Sequence, residues 1–141
     1  MPILCIDLVI FNDGKILLVK RKDEPLKDEW FFPGGRAHRN ELLADAAKRI
    51  AENEVGLQIG FPLFMGFEEM FFETDPFNHS GGTSTVNMVF NSISKSKTVK
   101  LDKHHKKYQW IDPHELMTGQ YHPHLRKYLD MSLRRGYDIE L

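Results

Sequence analysis

Apolar residues recur along this chain at two spacings, and the changes from one to the other predict strands and helices joined by short connections. Residues 3–11 and 15–20 read as strands, and Asn12-Asp13-Gly14 between them is a hairpin signal. A loop over residues 21–29, containing Pro25, leads to a short apolar segment at residues 30–32. A helix follows: at about 100° per residue from Glu41, the residues Leu42, Leu43, Ala46, Ala47 and Ile50 share one stripe, with Glu41, Asp45, Lys48 and Glu52 opposite. Asn40 is the expected N-cap of this helix and Gly56 its C-terminal stop. Residues 61–72 and 83–93 read as strands around a polar loop with Asp75-Pro76 and Gly81-Gly82, and residues 108–111 as another. Asp112-Pro113-His114-Glu115 has a capping-box pattern that starts a short helix, and Pro123 opens the last one, with Leu125, Tyr128, Leu129 and Leu133 at helical spacing. Helices on a mixed sheet, an α+β arrangement, is the class this order supports.

Composition narrows the picture. A chain of 141 residues with 41% hydrophobic content supports one good core, so residues 1–141 are expected to form a single domain. A net charge of -1 gives no footprint for nonspecific nucleic-acid binding. No positive leader precedes the first strand, and Asp7 and Asp13 interrupt its apolar run well short of a membrane span, so no membrane association and a cytoplasmic location are expected. The one cysteine, Cys5, reads as a small core residue. Exposed apolar edges in so small a domain leave a homodimer open.

The chemistry concentrates between residues 33 and 57. Pro33-Gly34-Gly35-Arg36 runs into the helix, and Glu54 falls inside its apolar stripe near Leu43 and Ala47. A carboxylate in such a place is protonated, paired with an arginine, bound to a metal, or at a frayed last turn that reaches water. His104-His105 sits in the charged run 102–107, which on its own reads as a solvated loop; His114 and the His122-Pro123-His124 group read as surface residues. Phe67, Phe71, Phe72 and Phe77 read as alternating core aromatics, with a base-stacking wall as the alternative.

The spacing resembles the Nudix box, Gx5Ex7REUxEExGU with U aliphatic: Gly35, Glu41, Arg49, Glu54, Gly56 and Leu57 fit it, while Ile50 and Asn53 stand where glutamates are usual. The resemblance implies a Nudix-like α/β/α sandwich with a mixed sheet. Within that family the chain is most similar to the GDP-mannose mannosyl hydrolase branch, which departs from the box at the same places and carries a Trp-Phe-x-Pro-Gly-Gly-Arg segment like residues 30–36. That branch implies magnesium-assisted hydrolysis of a small nucleotide sugar, with water attacking the anomeric carbon and the nucleoside diphosphate leaving.

Carried over by position, the resemblance implies Gly34, Glu54 and His104 as metal ligands and His105 as general base. It places Arg21, Arg36 and Arg49 around the diphosphate, and Asp7 in the active site. Guanidinium groups suit a diphosphate because they remain charged and bind it bidentately. Read from the helix surface alone, Arg49 could instead pair with Glu52 or Asp45, and Glu41 favours the helix dipole and braces the glycine loop. The chain departs from the branch at Met70, Phe72 and Asn87. Two other readings stand beside this one: an ordinary Nudix pyrophosphohydrolase using Glu52, Glu54 or an acid from another loop such as Glu68, Glu69 or Glu73, where Glu52 points away from Glu54 by roughly 160° so that the site must be rebuilt from elsewhere, and a nucleotide-binding module without turnover.

Overall fold

The computed structural model describes residues 2–24, 26–72 and 83–136. Pro25, Asp75-Pro76, Gly81-Gly82, Glu73 and Phe77 lie outside the described residues.

Strand β1 (Ile3–Asn12) is central, and its alternation makes both cores. Ile6, Leu8 and Ile10 point to one face, where they pack with Leu17, Val19 and Phe90 beneath helix α1 (Leu43–Val55). Val9 and Phe11 point to the other, where they pack with Leu116 of α2 (Pro113–Thr118) and with Leu125, Tyr128 and Leu129 of α3 (Pro123–Gly136). Each fully buried aliphatic side chain contributes about 1.5–3 kcal/mol, so a strand buried on both faces is a main source of stability. The result is the expected α+β architecture, an α/β/α sandwich.

The sheet is mixed. Its main path runs β3 (Trp30–Phe31), β2 (Lys15–Arg21), β1, β6 (Thr83–Ile93), β5 (Leu63–Phe72), with β1 parallel to β6 and the other neighbours on this path antiparallel. The β1–β2 hairpin turns at Asp13 and Gly14, with φ of 51° and 76°, the left-handed pair that a tight hairpin turn requires. Beyond that turn the two strands diverge. The segment 30–36 fills the gap, first as β3 on β2 and then as β4 (Gly34–Arg36) on β1, with the Leu8 N–H donating to the Pro33 carbonyl at 2.8 Å. β7 (His105–Ile111) lies along the other edge of β2.

Several expectations change. Asn40 does not cap α1: it takes a left-handed φ of 61°, Leu42 occupies the N-cap position, and no side chain caps it. Leu42 therefore precedes the helix and is 74% exposed, outside the apolar stripe. Gly56 ends the helix as expected, at a φ of 66°. Leu133 is exposed on α3, where Leu125, Tyr128 and Leu129 already fill the interface. Residues 34–36, expected as loop, form a strand, and β7 begins at His105 rather than at residue 108.

Candidate active site

A cavity of about 400 Å³ opens where β1 and β2 diverge. Its floor comes from alternate residues of three adjacent strands: Ile3, Cys5 and Asp7 of β1, Thr85 and Asn87 of β6, and Met70 of β5. Gly34, Gly35 and Arg36 of β4, Glu54 of α1, Arg21 of β2, and His104 and His105 form its polar wall. Phe31, Phe32 and Leu26 line its apolar side.

The glycine loop fits closely against its neighbours. A Cβ on Gly34 would collide with the Asp7 carboxylate and the Ile6 carbonyl, and one on Gly35 would press on Ile50 and lie 3.5 Å from Glu54 Oε1. The Gly34 N–H donates to Glu54 Oε2 at 3.0 Å. Burial pushes the Glu54 carboxyl up to about 8, reinforced by the charge of Asp102, while the Gly34 bond and Arg21 oppose the shift.

The charged run 102–107 does not lie free in solvent. The Lys100 and Asp102 N–H groups donate to the Val55 and Glu54 carbonyls at 2.9 and 3.1 Å, which folds residues 100–102 over the end of α1. The Lys22 N–H ties the His104 carbonyl to β2 at 2.9 Å. His105 is consequently only 4% exposed, with its Nδ1 2.7 Å from Asp102 Oδ1. A carboxylate can only accept, so Nδ1 carries the proton and Nε2 is left with a lone pair. Burial lowers the imidazole below its ordinary value, and Asp102 partly restores it. His104 Nδ1 meets Asp23 Oδ2 at 2.7 Å near the cavity mouth.

Asp7 is buried, and burial raises its carboxyl to about 6 against hydrogen bonds from Asn87 and Tyr128 and the charge of Arg21. Asn87 Nδ2 donates to Asp7 Oδ2 at 2.6 Å, and the Thr85 hydroxyl donates to Asn87 Oδ1. This relay spans residues about 80 apart, and no sequence spacing signals it. Asp102, three residues before His105, had a local signal that passed for a solvated charge.

Seven of the eight expected site residues line this one cavity: Asp7, Arg21, Gly34, Arg36, Glu54, His104 and His105. Arg49 does not. Its Nε donates to Glu41 Oε2 at 2.7 Å and an Nη to the Arg36 carbonyl at 2.8 Å, while the His38 N–H donates to Glu41 Oε1 at 3.0 Å. The expected partners Glu52 and Asp45 are replaced by Glu41, whose carboxyl the arginine holds down at about 2. Cys5, expected as core, is half-buried in the cavity wall, and burial pushes its thiol up to about 12. His122 and His124, expected at the surface, are half-buried and stacked at 5.1 Å beside Phe31 and Tyr128. Phe67 and Phe71 neither fill a core nor line the cavity.

The sequence matches the NUDIX domain family over residues 1–131. It is 30% identical over 131 residues to the low-salt glycan biosynthesis protein Agl8 of Haloferax volcanii, covering 92% of this chain and 81% of that one. It is 24% identical to the nucleoside triphosphatase NudI of Escherichia coli over 77% of this chain and 81% of that one. The fold matches the MutT NUDIX hydrolase of Burkholderia pseudomallei with a TM-score of 0.78 at 22% identity, covering 93% and 98% of the two chains.

Proposed function

We propose that this chain, which belongs to the Nudix hydrolase family, hydrolyses a nucleoside diphosphate sugar of the GDP-mannose type to free sugar and nucleoside diphosphate. The observation that carries this reading is the pairing of one box carboxylate, Glu54, with a buried His105 already oriented by Asp102, in a cavity shared with Arg21 and Arg36. His105 Nε2 takes a proton from water as the water oxygen bonds to the anomeric carbon. The carbon–oxygen bond to the diphosphate breaks, and its electron pair leaves with the nucleoside diphosphate. Arg21 and Arg36 neutralise the charge that grows on that leaving group. Arg49, held on Glu41 and the Arg36 carbonyl, keeps the glycine loop in position.

Nudix hydrolases generally use divalent metal ions, commonly magnesium. The donor set here fits a hard cation with few protein ligands. Glu54 is a partly buried carboxyl beside the negative charges of Asp102 and Asp7, which a cation relieves. Among the described residues no three His, Cys, Asp or Glu side chains converge as a metal site, so phosphate oxygens and water would complete the shell. Gly34, Glu54 and His104 would hold it, with His104 the poorest match for magnesium. When bound, the ion supplies charge stabilisation at the diphosphate.

Attack at phosphorus has less support. Ile50 is buried and Asn53 exposed where further carboxylates would stand, and Glu52, Glu68 and Glu69 do not line the cavity. The similarity to a protein named for glycan biosynthesis adds weight to a glycan-related substrate. A panel of nucleotide sugars, with products separated by anion-exchange chromatography, tests the reading. Free sugar with nucleoside diphosphate is expected; sugar phosphate with nucleoside monophosphate would overturn it.

A further inference from the structure

Two polar side chains lie where the sheet would be expected to bury apolar ones. On the cavity face of β6, Val89 belongs to the core shared with α3, and the next two positions on that face are Asn87 and Thr85, 7% and 6% exposed. Their register partners include Cys5 and Ile3 of β1 and Met70 of β5, which line the same floor. A buried polar group costs stability unless its bonds are made, so an apolar pair at these positions would give the more stable sheet. Neither residue is among those that the family resemblance brings to the site.

Their hydrogen bonds have a fixed direction. Asp7 Oδ2 belongs to a carboxylate, which only accepts, so the group 2.6 Å away is the amide nitrogen of Asn87. The amide oxygen of Asn87 therefore faces Thr85, and the Thr85 hydroxyl gives its hydrogen to that oxygen. Glu68, directly opposite Asn87 on β5, is paired with Lys127 of α3 at 3.5 Å. Among the described residues these bonds leave Asn87 one amide N–H, and leave Thr85 and Asp7 only lone pairs. The floor thus presents one donor between two acceptors.

We propose, resting on the nucleoside diphosphate sugar reading above, that Thr85, Asn87 and Asp7 form the subsite for the hexose and hold two neighbouring hydroxyl groups of its ring. A hydroxyl both donates and accepts, so it can donate to a flanking acceptor while taking the Asn87 N–H. A carboxylate on the sugar brings acceptors only and meets two acceptors here, and a methylene leaves the Asn87 N–H without a partner. The subsite therefore selects neutral, fully hydroxylated sugars against uronic acids. The rest of the cavity suits the other parts of such a substrate. Arg21 and Arg36 face the diphosphate, and Phe31, Phe32 and Leu26 offer an apolar side for a planar base.

Competition against a fluorescent GDP, read within seconds of mixing in magnesium, tests the proposal. The competitors are GDP, GDP-mannose, GDP-mannuronate and GDP-mannose analogues lacking one hydroxyl of the hexose or of the ribose. GDP-mannose is expected to bind at least about tenfold more tightly than GDP or GDP-mannuronate, and loss of either of two adjacent hexose hydroxyls to weaken it about five- to tenfold. In Asn87→Leu that preference for the hydroxyls should shrink to within about twofold with GDP affinity kept, whereas a merely structural role would weaken every ligand alike. Thr85→Val should lose the preference for one of the two hydroxyls. Should Asn87→Leu fail to fold, the wild-type series and Thr85→Val decide. A wild type indifferent to the hexose hydroxyls or to the mannuronate carboxylate, an effect confined to the ribose, or a folded Asn87→Leu that keeps the full preference would overturn the proposal. Affinity does not depend on the bond cut, so sugar phosphate among the products would overturn the hydrolysis reading and leave this result standing.

Discussion

Replacing Glu54 by glutamine separates the two demands that the cavity places on this residue. The amide oxygen can still accept the Gly34 N–H, a 3.0 Å bond in the wild type, so position is kept while charge is lost. Burial, reinforced by Asp102, moves the carboxyl from 4.5 to about 8. For a folded-state value raised in this way, the group's contribution to stability is intact below pH 4.5 and is lost as pH climbs to about 8. At about 1.4 kcal/mol per pH unit the full loss is bounded by roughly 5 kcal/mol, and partial solvent access reduces it to about 1–3 kcal/mol. Cation-free Glu54→Gln is therefore expected to melt about 3–10 °C above the wild type at pH 8, with the difference vanishing at pH 4. Magnesium should raise the melting temperature of the wild type at pH 8 and leave that of the variant unchanged. Turnover should fall by more than about a hundredfold. Thermal denaturation at pH 4, 6 and 8, with and without magnesium, alongside steady-state kinetics, measures all three. A variant less stable than the wild type at pH 8 without metal, or one whose melting still responds fully to magnesium, would show that Glu54 is not a buried charge held for a cation.

His105→Gln is expected to cut kcat by about a hundredfold to ten-thousandfold with nucleoside diphosphate affinity, measured by calorimetry, nearly unchanged. Because burial lowers His105 below 6.5 and the base acts when neutral, the wild-type rate should fall only as pH drops below that value, and this acid limb should be absent in the variant. His104→Gln should be milder in the same assays, since the Asp23 contact is at the mouth rather than the interior. Gly34→Ala should lower kcat/KM by about a hundredfold or more, because its Cβ displaces the Asp7 carboxylate. Arg49→Lys loses the two-point hold on Glu41 and Arg36, and kcat/KM is expected to fall about tenfold with an unchanged pH–rate profile.

The parts of this molecule that were legible in the sequence are those set by local pattern. The alternation in β1, the Asp13-Gly14 turn and the Gly56 stop each follow from a residue's own conformational preference. The box, together with the Trp-Phe-x-Pro-Gly-Gly-Arg segment that runs into it, likewise pointed to Gly34, Arg36 and Glu54. What was hidden depends on distant partners. Gly34 to Arg36 have little intrinsic strand preference and become a strand because Cys5 to Asp7 offer an open edge. His105 is surrounded by charged residues in sequence, yet two backbone bonds from residues 100 and 102 to the end of α1 pull it under cover. Arg49 met Glu41 rather than its helical neighbours because Glu41 precedes the helix and curls back over it. Phe67 and Phe71 carry a core-like pattern on a strand whose outer face the helix does not reach.

In the proposed reaction water attacks the sugar rather than phosphorus. Hydrolysis of the best nucleotide sugar in oxygen-18 water with magnesium, with both products read by mass spectrometry, tests it most directly. One heavy oxygen is expected in the free sugar and none in the nucleoside diphosphate. Heavy oxygen in a phosphate-bearing product, with none in the sugar, would contradict it.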